Sequence, residues 1–421
     1  MRQSDGSTKN FYASCERLFR PDLAGRPIIV LSNNDGCVVA RSHEAKALRV
    51  AMGAPFFQLA PPLRRQLVVF SSNDALYGDL SRRVMQVLAG FAPRIEVYSI
   101  DECFLDLSGV AEPVALGQAM ARTVRQWTGI PVSVGIALTK TLAKLANRLA
   151  KQGQSPDGPV LDWARLPDPA ATLAGIPVED VWGIADRWGQ RLRALGLADA
   201  LAVREADPRW LRQQGGVVLE RLGWELRGRS CLPLEVIAPP RQQLRVSRTF
   251  GAAVTAWPEL RAALTRFASR AGEKLRAQGL AAPALTVFIQ TDPFDTARPF
   301  YTNALTLPFV APTQDSAALI AQALAGAARL CRRGDAYRRA GVLLPDLVPV
   351  GRAPADLFAA PDTEARATRR MAALDAINRH FGRETLRYGG ELIGTGWHRR
   401  AGRVSPISTT RWGALPRVQA C

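Results

Sequence analysis

Two acids stand side by side in Tyr98-Ser99-Ile100-Asp101-Glu102-Cys103-Phe104, with a strand-like run on either flank. At a β-hairpin corner, neighbouring Asp and Glu side chains can both reach one side and offer oxygen ligands to Mg²⁺. That ion accepts a few carboxylates plus substrate phosphates rather than an all-protein cage. Two ions so held would stabilise the attacking and leaving oxygens of a phosphoryl or nucleotidyl transfer. An isolated Asp-Glu pair equally makes a solvated turn, so its surroundings must decide. Lysine is scarce, six of 55 basic residues, and Lys46, Lys140, Lys144 and Lys151 all lie near the motifs discussed below. Residues 139–151 read as a helix placing Lys140, Lys144 and Lys151 on a broadly common side, facing a phosphate or simply solvated.

These groups need a frame. Apolar runs bounded by turn residues predict strands at 27–32, 66–71, 94–100, 103–107 and 131–137, and helical patterns fall at 42–50, 80–89, 114–127 and 139–151. That mixture indicates an α/β or α+β domain. Residues 168–229 read as short helices only, broken by glycines, and 233–240 as a Pro-rich linker. A second α+β domain follows, with strands at 243–250, 284–291, near 299–305 and 340–347, and helices at 258–278 and 315–332; a Pro/Ala/Arg-rich tail carries one further helix at 363–381.

The 421 residues carry 55 Lys+Arg against 37 Asp+Glu, a net charge of +18, with 47% hydrophobic residues. This is enough apolar material for several packed domains, and it excludes a disordered chain or a small disulfide-stapled module. The charge calls for a polyanion, nucleic acid before an anionic membrane surface. Six scattered cysteines show no zinc or disulfide spacing, which fits a reducing cytoplasm. No leader-like apolar run opens the chain, and residues 317–330 are too short for a membrane crossing.

Five motifs occur in the order and spacing of one family: Phe11-Tyr12-Ala13-Ser14-Cys15-Glu16, Ser32-Asn33-Asn34-Asp35-Gly36-Cys37-Val38, Glu44-Ala45-Lys46, the Tyr98–Phe104 segment, and Thr139-Lys140-Thr141-Leu142-Ala143-Lys144-Leu145-Ala146-Asn147. The chain resembles Y-family DNA polymerases, UmuC type, from Phe11 to its end. The resemblance implies a multi-domain α+β right hand. Palm and fingers would occupy 1–165, a helical thumb with a helix-hairpin-helix 166–232, a little finger 240–347, and a partner-binding extension 348–421. It implies error-prone translesion synthesis in the DNA-damage (SOS) response, with two Mg²⁺ ions, dNTP and primer-template DNA. A UmuD-type subunit, a RecA filament and a sliding clamp are the implied partners. The implied setting is cytoplasmic, associated with the nucleoid when acting. Residue by residue, Asp101 and Glu102 match the metal-binding catalytic acids and Tyr12 the steric gate against a 2′-hydroxyl. Phe11, His43, Lys46 and Lys151 match nucleotide contacts; Gly183 and Ala185 fall in the hairpin, where an αL position would strain Ala. Arg245 and Arg248, with Arg261, Arg266 and Arg270, could meet DNA phosphates. Leu357 and Phe358 resemble a degenerate clamp-binding peptide.

One departure matters. The family's first catalytic acid lies four residues before the Phe of the Phe-Tyr pair, and here that position is Ser7. Asp5 shares its strand face but sits ~6.6 Å away, beyond what magnesium bonds of about 2.1 Å tolerate without a register shift. The segment MRQSDGST also lacks a β-branched apolar run, so it is not expected to form a buried central strand. Either the N-terminal end is altered, or the chain keeps the scaffold as an impaired, DNA-binding relative. Agreement that starts abruptly at Phe11 favours the first. As written, the chain is expected to be a poor catalyst.

Overall fold

Gln3–Thr8 (QSDGST) contains no large apolar side chain, yet it forms the middle strand of a five-stranded sheet. The computed structural model describes residues 3–8, 10–237, 239–352, 363–392, 400–410 and 413. The chain divides into two units, one of Met1–Ser32, Gly36–Ala238 and Arg403–Cys421, the other of Asn33–Asp35 and Pro239–Gly402.

In the first unit the strands are β1 (Gln3–Thr8), β2 (Ile28–Leu31), β3 (Val38–Arg41), β4 (Val68–Ser71), β5 (Ile95–Val97), β6 (Glu102–Asp106), β7 (Val132–Ala137) and β8 (Val160–Asp162). The helices are α1 (Phe11–Leu18), α2 (His43–Ala47), α3 (Pro61–Gln66), α4 (Asp74–Ala89), α5 (Pro113–Thr128), α6 (Lys140–Lys151), α7 (Pro169–Ala174), α8 (Asp186–Ala194), α9 (Ala200–Glu205) and α10 (Pro208–Leu226). The main sheet runs β5-β6-β1-β7-β8, and a small sheet runs β3-β2-β4.

The burial of β1 overturns the sequence expectation, for a physical reason. Antiparallel ladders to β6 on one side and β7 on the other satisfy its backbone, with Asp5 opposite Phe104 and Gly135, and Ser7 opposite Glu102 and Ser133. Ladder pairing and tertiary position outweigh the poor strand propensity of the side chains. The cost is visible: side-chain polar atoms of Gln3, Ser4, Asp5 and Thr8 are buried without a hydrogen-bond partner.

One face of the main sheet packs on α4 and α5 through Leu76, Leu80, Val84, Met120 and Val124, with Cys103, Leu105, Val134 and Ile136 from the strands. The other face receives α6. Thr139 caps that helix by accepting from the Leu142 N–H. Gly135 lets it lie directly on β7, since a Cβ there would stand 2.1 Å from the Ala143 carbonyl oxygen. Asn147 then pins α6 in place, donating from Nδ2 to the Asp5 and Ser133 carbonyls at 2.6 and 2.9 Å. The far side of α6 shares a core with the helical region, including Leu173, Val178, Leu192 and Leu211. Its last helix, α10, has 19 residues, longer than expected, and bends at Gly215 and Gly216. Short β3 and β8 were not anticipated, because three or four residues carry little periodicity.

The second unit holds β9 (Leu244–Val254), β10 (Leu280–Thr291), β11 (Thr302–Thr313), β12 (Tyr337–Leu344) and β13 (Val348–Pro349), with α11 (Trp257–Arg276), α12 (Ser316–Leu330) and α13 (Thr363–His380). The sheet runs β11-β10-β12-β9, and α11 and α12 cover one of its faces through Leu260, Leu264, Phe267, Leu319 and Ala323. Strand β11 extends well past the expected 299–305 because Pro308 is harmless on an edge strand.

Candidate active site

The β5–β6 hairpin places the two acids. The Tyr98 and Ser99 N–H groups donate to the Glu102 carbonyl, which closes the turn, and the Thr8 N–H donates to the Asp101 carbonyl at 3.0 Å. The corner is thereby fastened to the end of β1. Asp101 Oδ1 accepts from Ser99 Oγ at 2.8 Å, while Glu102 Oε2 is paired with Lys144 Nζ at 2.7 Å. Lys144 is mostly buried, and its ammonium stands 4.9, 5.5 and 5.2 Å from the ring centroids of Tyr98, Phe104 and Trp182. An aromatic surround of this kind favours a cation.

Beside the hairpin lies a cavity of ≈ 760 Å³ whose lining includes Phe11, Tyr12, His43, Lys46, Asp101 and Lys151. Five residues singled out as nucleotide contacts therefore meet one of the two acids in a single space. The Tyr12 ring stacks on Tyr77 with centroids 4.3 Å apart, and Tyr77 donates to the buried Glu16 carboxylate at 2.5 Å. Burial first, then Asp74 and Asp101, raise the Tyr12 phenol above its usual pKa, so the ring is a neutral surface. His43 begins α2 after the Ser42 cap, which fixes the turn that also carries Lys46. Partial burial, then the Arg41 and Lys151 cations, lower the Lys46 pKa. Arg41 lines the same cavity and donates to the Val50 carbonyl. Sequence reasoning missed it; its place at the end of β3, two residues before His43, was the available signal.

The lysine face of α6 divides, and only Lys140 departs from both sequence readings. Lys140 is buried against the Glu96 carboxylate and the Pro233 carbonyl, neither solvated nor turned to the cavity. Lys151 lines the cavity, and Asp5, Glu102 and Asp101 all lie within its electrostatic reach.

The acids supply hard oxygen donors that suit magnesium when substrate phosphates complete its shell. Among the described residues, however, no group of three His, Cys, Asp or Glu could hold a metal ion. Asp5 is the nearest further carboxylate on β1. It is 2% exposed with Oδ1 unpartnered, and burial, opposed by Lys144, raises its pKa to about 7. Asp101 and Glu102 would thus be the donors for a divalent ion, and Asp5 does not complete a three-acid group with them.

Residues 8–148 match the impB/mucB/samB family, residues 241–357 its C-terminal domain, and residues 369–418 a domain of unknown function, DUF4113. Protein UmuC of Salmonella typhimurium is 44% identical over 414 residues, covering 97% of this chain and 98% of that protein. The chain belongs to this family, the UmuC type of Y-family DNA polymerase. Protein MucB of Escherichia coli is 41% identical over 411 residues, covering 96% of each chain, and DNA polymerase IV of Caulobacter vibrioides 29% over 395, covering 91% and 92%. Among solved structures, a Y-family DNA polymerase chimera superposes with a TM-score of 0.65 at 20% identity, covering 83% of this chain and 99% of that one. The mixed α+β right-hand fold of these polymerases is therefore the fold of this chain.

The remaining family-derived positions fall as follows. Gly183 has φ +92 with open space where a side chain would stand, and the next residue but one, Ala185, is the extended N-cap of α8 at φ −95. The expected left-handed strain at Ala185 does not exist. Trp182, just before the turn, donates to the Tyr98 hydroxyl at 3.3 Å and packs against the Tyr98 and Phe104 rings, so this turn touches the segment that carries the acid pair. In the second unit Arg245 lies over the Phe288 ring at 4.3 Å, on the sheet face not covered by helices. Arg248, three residues on, points to the opposite face, beside α11. Arg266 pairs with Glu384 and Arg270 with Glu273, so neither offers an unopposed charge to a phosphate. Leu357 and Phe358 lie outside the described residues.

Proposed function

We infer that this chain is a DNA-directed DNA polymerase of the translesion class, adding nucleotides to a primer opposite damaged template with low fidelity in the DNA-damage response. Family membership supports the activity. The observation that carries the site is the single cavity uniting Tyr12, Lys46 and Lys151 with Asp101. Lys46 and Lys151 bind the triphosphate as compact charges without a bidentate demand. Burial first, then the Arg41 and Lys151 cations, hold the Lys46 pKa down, and an entering polyanion opposes that shift. The stacked Tyr12 ring underlies the sugar and excludes a 2′-hydroxyl by shape. A magnesium ion, when bound at Asp101 and Glu102, would draw charge from the phosphates as the primer oxygen attacks and pyrophosphate leaves. Lys144 orients Glu102 and balances its charge until then.

The organisation we propose is palm and fingers over 1–165, thumb over 166–232, little finger over 240–347 and a partner-binding extension over 348–421. Gly183 and Ala185 would present backbone N–H groups of the α8 N-terminus to a DNA phosphate, and Arg245 and Arg248 would meet others. A UmuD-type subunit, a RecA filament and a sliding clamp engaging Leu357 and Phe358 complete the proposal, with action in the cytoplasm at the nucleoid. No helix among the described residues is long and apolar enough to cross a membrane.

Primer extension by the purified full chain tests the site. Asp101→Ala is expected to lose activity by on the order of 100-fold or more, with primer-template binding retained. Extension by that variant at the wild-type rate would sink the assignment.

A further inference from the structure

The second unit contains a cavity of ≈ 600 Å³, of whose lining the polymerase reading uses only Arg248 at the rim. One wall is the outer face of α11, where Arg266, Arg270 and Arg276 recur at helical spacing, with Arg248 at its rim from β9. The opposite wall comes from the region matched by the domain of unknown function: α13 gives Arg379, and the turns after it give Arg383 and Arg387. Seven arginines thus face four carboxylates, Glu273, Asp375, Glu384 and Glu391.

The carboxylates explain how the walls are joined. Arg276 grips Asp375 with two hydrogen bonds of 2.7 and 2.8 Å, Arg266 pairs with Glu384, and Arg383 reaches Glu273 at 3.7 Å. Outside these joints, no acid among the described residues pairs with Arg248, Arg379 or Arg387. Glu391 is 8% exposed with Oε1 unpartnered, and burial raises its pKa, which weakens its opposition to an incoming anion. Burial first, then the cations Arg270, Arg241, Arg248 and Arg383, lower the pKa of the neighbouring Lys274. The volume lies in the range of small-ligand sites and exceeds what a single chloride or sulfate needs.

We propose that this cavity binds a phosphate-rich anion, held by Arg248, Arg379 and Arg387 across the junction of α11 and the C-terminal extension. Guanidinium groups converging from two walls match the geometry of phosphate oxygens, which they engage in bidentate fashion. The ligand would tie the extension to α11 more firmly than the existing ion pairs do. The site stands on the helix-covered side of the sheet, opposite the open face that carries Arg245, and it does not depend on the polymerase assignment.

Two sources share this chemistry, a free polyphosphate and the backbone of a single-stranded nucleic acid. Hydrogen–deuterium exchange on the full chain, read at residues 266–277 and 374–391, separates both from the nucleotide cavity. The probes are inorganic tripolyphosphate, a twelve-nucleotide oligo-dT, and sulfate at matched ionic strength. Tripolyphosphate or oligo-dT is expected to slow exchange in those segments at least about threefold, and the stronger probe identifies the source. Lys46→Ala should keep that protection. Arg379→Gln combined with Arg387→Gln should abolish it, and since both residues are exposed and no acid among the described residues pairs with either, the fold should persist, as checked by unchanged exchange in β10. No protection by either probe, equal protection by sulfate, or protection that survives the double substitution would overturn the proposal.

Discussion

Tyr12 is held by a relay rather than by simple burial. Its ring is stacked on Tyr77, and Tyr77 is locked by its hydrogen bond to Glu16, which also accepts from Ser405 at 3.0 Å. In the gate role we propose for it, Tyr12 would discriminate by shape, so its hydroxyl should be dispensable and the ring should not. Tyr12→Ala is expected to raise the ribonucleotide-to-deoxyribonucleotide ratio of kcat/KM by roughly 10-fold or more, the scale on which one small group is accepted or refused in a packed site. Tyr12→Phe should leave the ratio within about twofold. Single-nucleotide incorporation on one primer-template measures both, and equal ratios for all three proteins would remove Tyr12 from the gate. Truncation should also cost about 1 kcal/mol of stability from the lost aromatic pair.

At the scale of elements, β1 decides how well the acids are served. Its middle position gives it two ladders, but Asp5 is carried into the interior as a carboxyl with a pKa of about 7. Between the ordinary value of 3.8 and about 7 the folded state binds more protons than the unfolded one, so stability falls as pH rises through that window. Thermal unfolding without divalent metal should therefore give a lower Tm at pH 8 than at pH 5. Asp5→Asn should flatten that slope, with any residual coming from groups such as Glu16, whose pKa burial also raises. An unchanged slope would mean that Asp5 escapes burial. In the same register Ser7 stands opposite Glu102, so Ser7→Asp combined with Asp5→Leu puts a carboxylate at the position that the resemblance implies for the first catalytic acid. Primer extension is expected to rise at least about 10-fold, and equal rates before and after would show that the strand's chemistry is not limiting. This strand also marks the limit of what the sequence discloses. The hairpin, α6 and the cavity residues were legible because motif order and helical spacing are local signals. The burial of β1 and the retreat of Lys140 to Glu96 depend on partners distant in sequence, which composition and periodicity do not encode.

The net charge of +18 is a property of the whole molecule, but the structure divides its basic residues into two kinds. Some are spent internally. Arg276, with a side chain 9% exposed, is doubly bonded to Asp375, and Arg94 is paired with the buried Asp106. Others, such as Arg245 on the open sheet face, stand over a ring with no acid beside them among the described residues. Only the second kind can release counterions when a phosphate arrives, and each phosphate neutralised contributes about 0.9 to the slope of log affinity against log salt. Titrating duplex primer-template across a salt series is thus expected to give a steep slope for the native chain and a slope shallower by roughly one for Arg245→Ala. Arg276→Ala should leave the slope unchanged and instead lower stability by on the order of 3 kcal/mol, because it strands a partly buried carboxylate. If both substitutions shift the slope equally, the division between structural and DNA-facing arginines is wrong, and the charge acts as a diffuse field rather than through placed contacts.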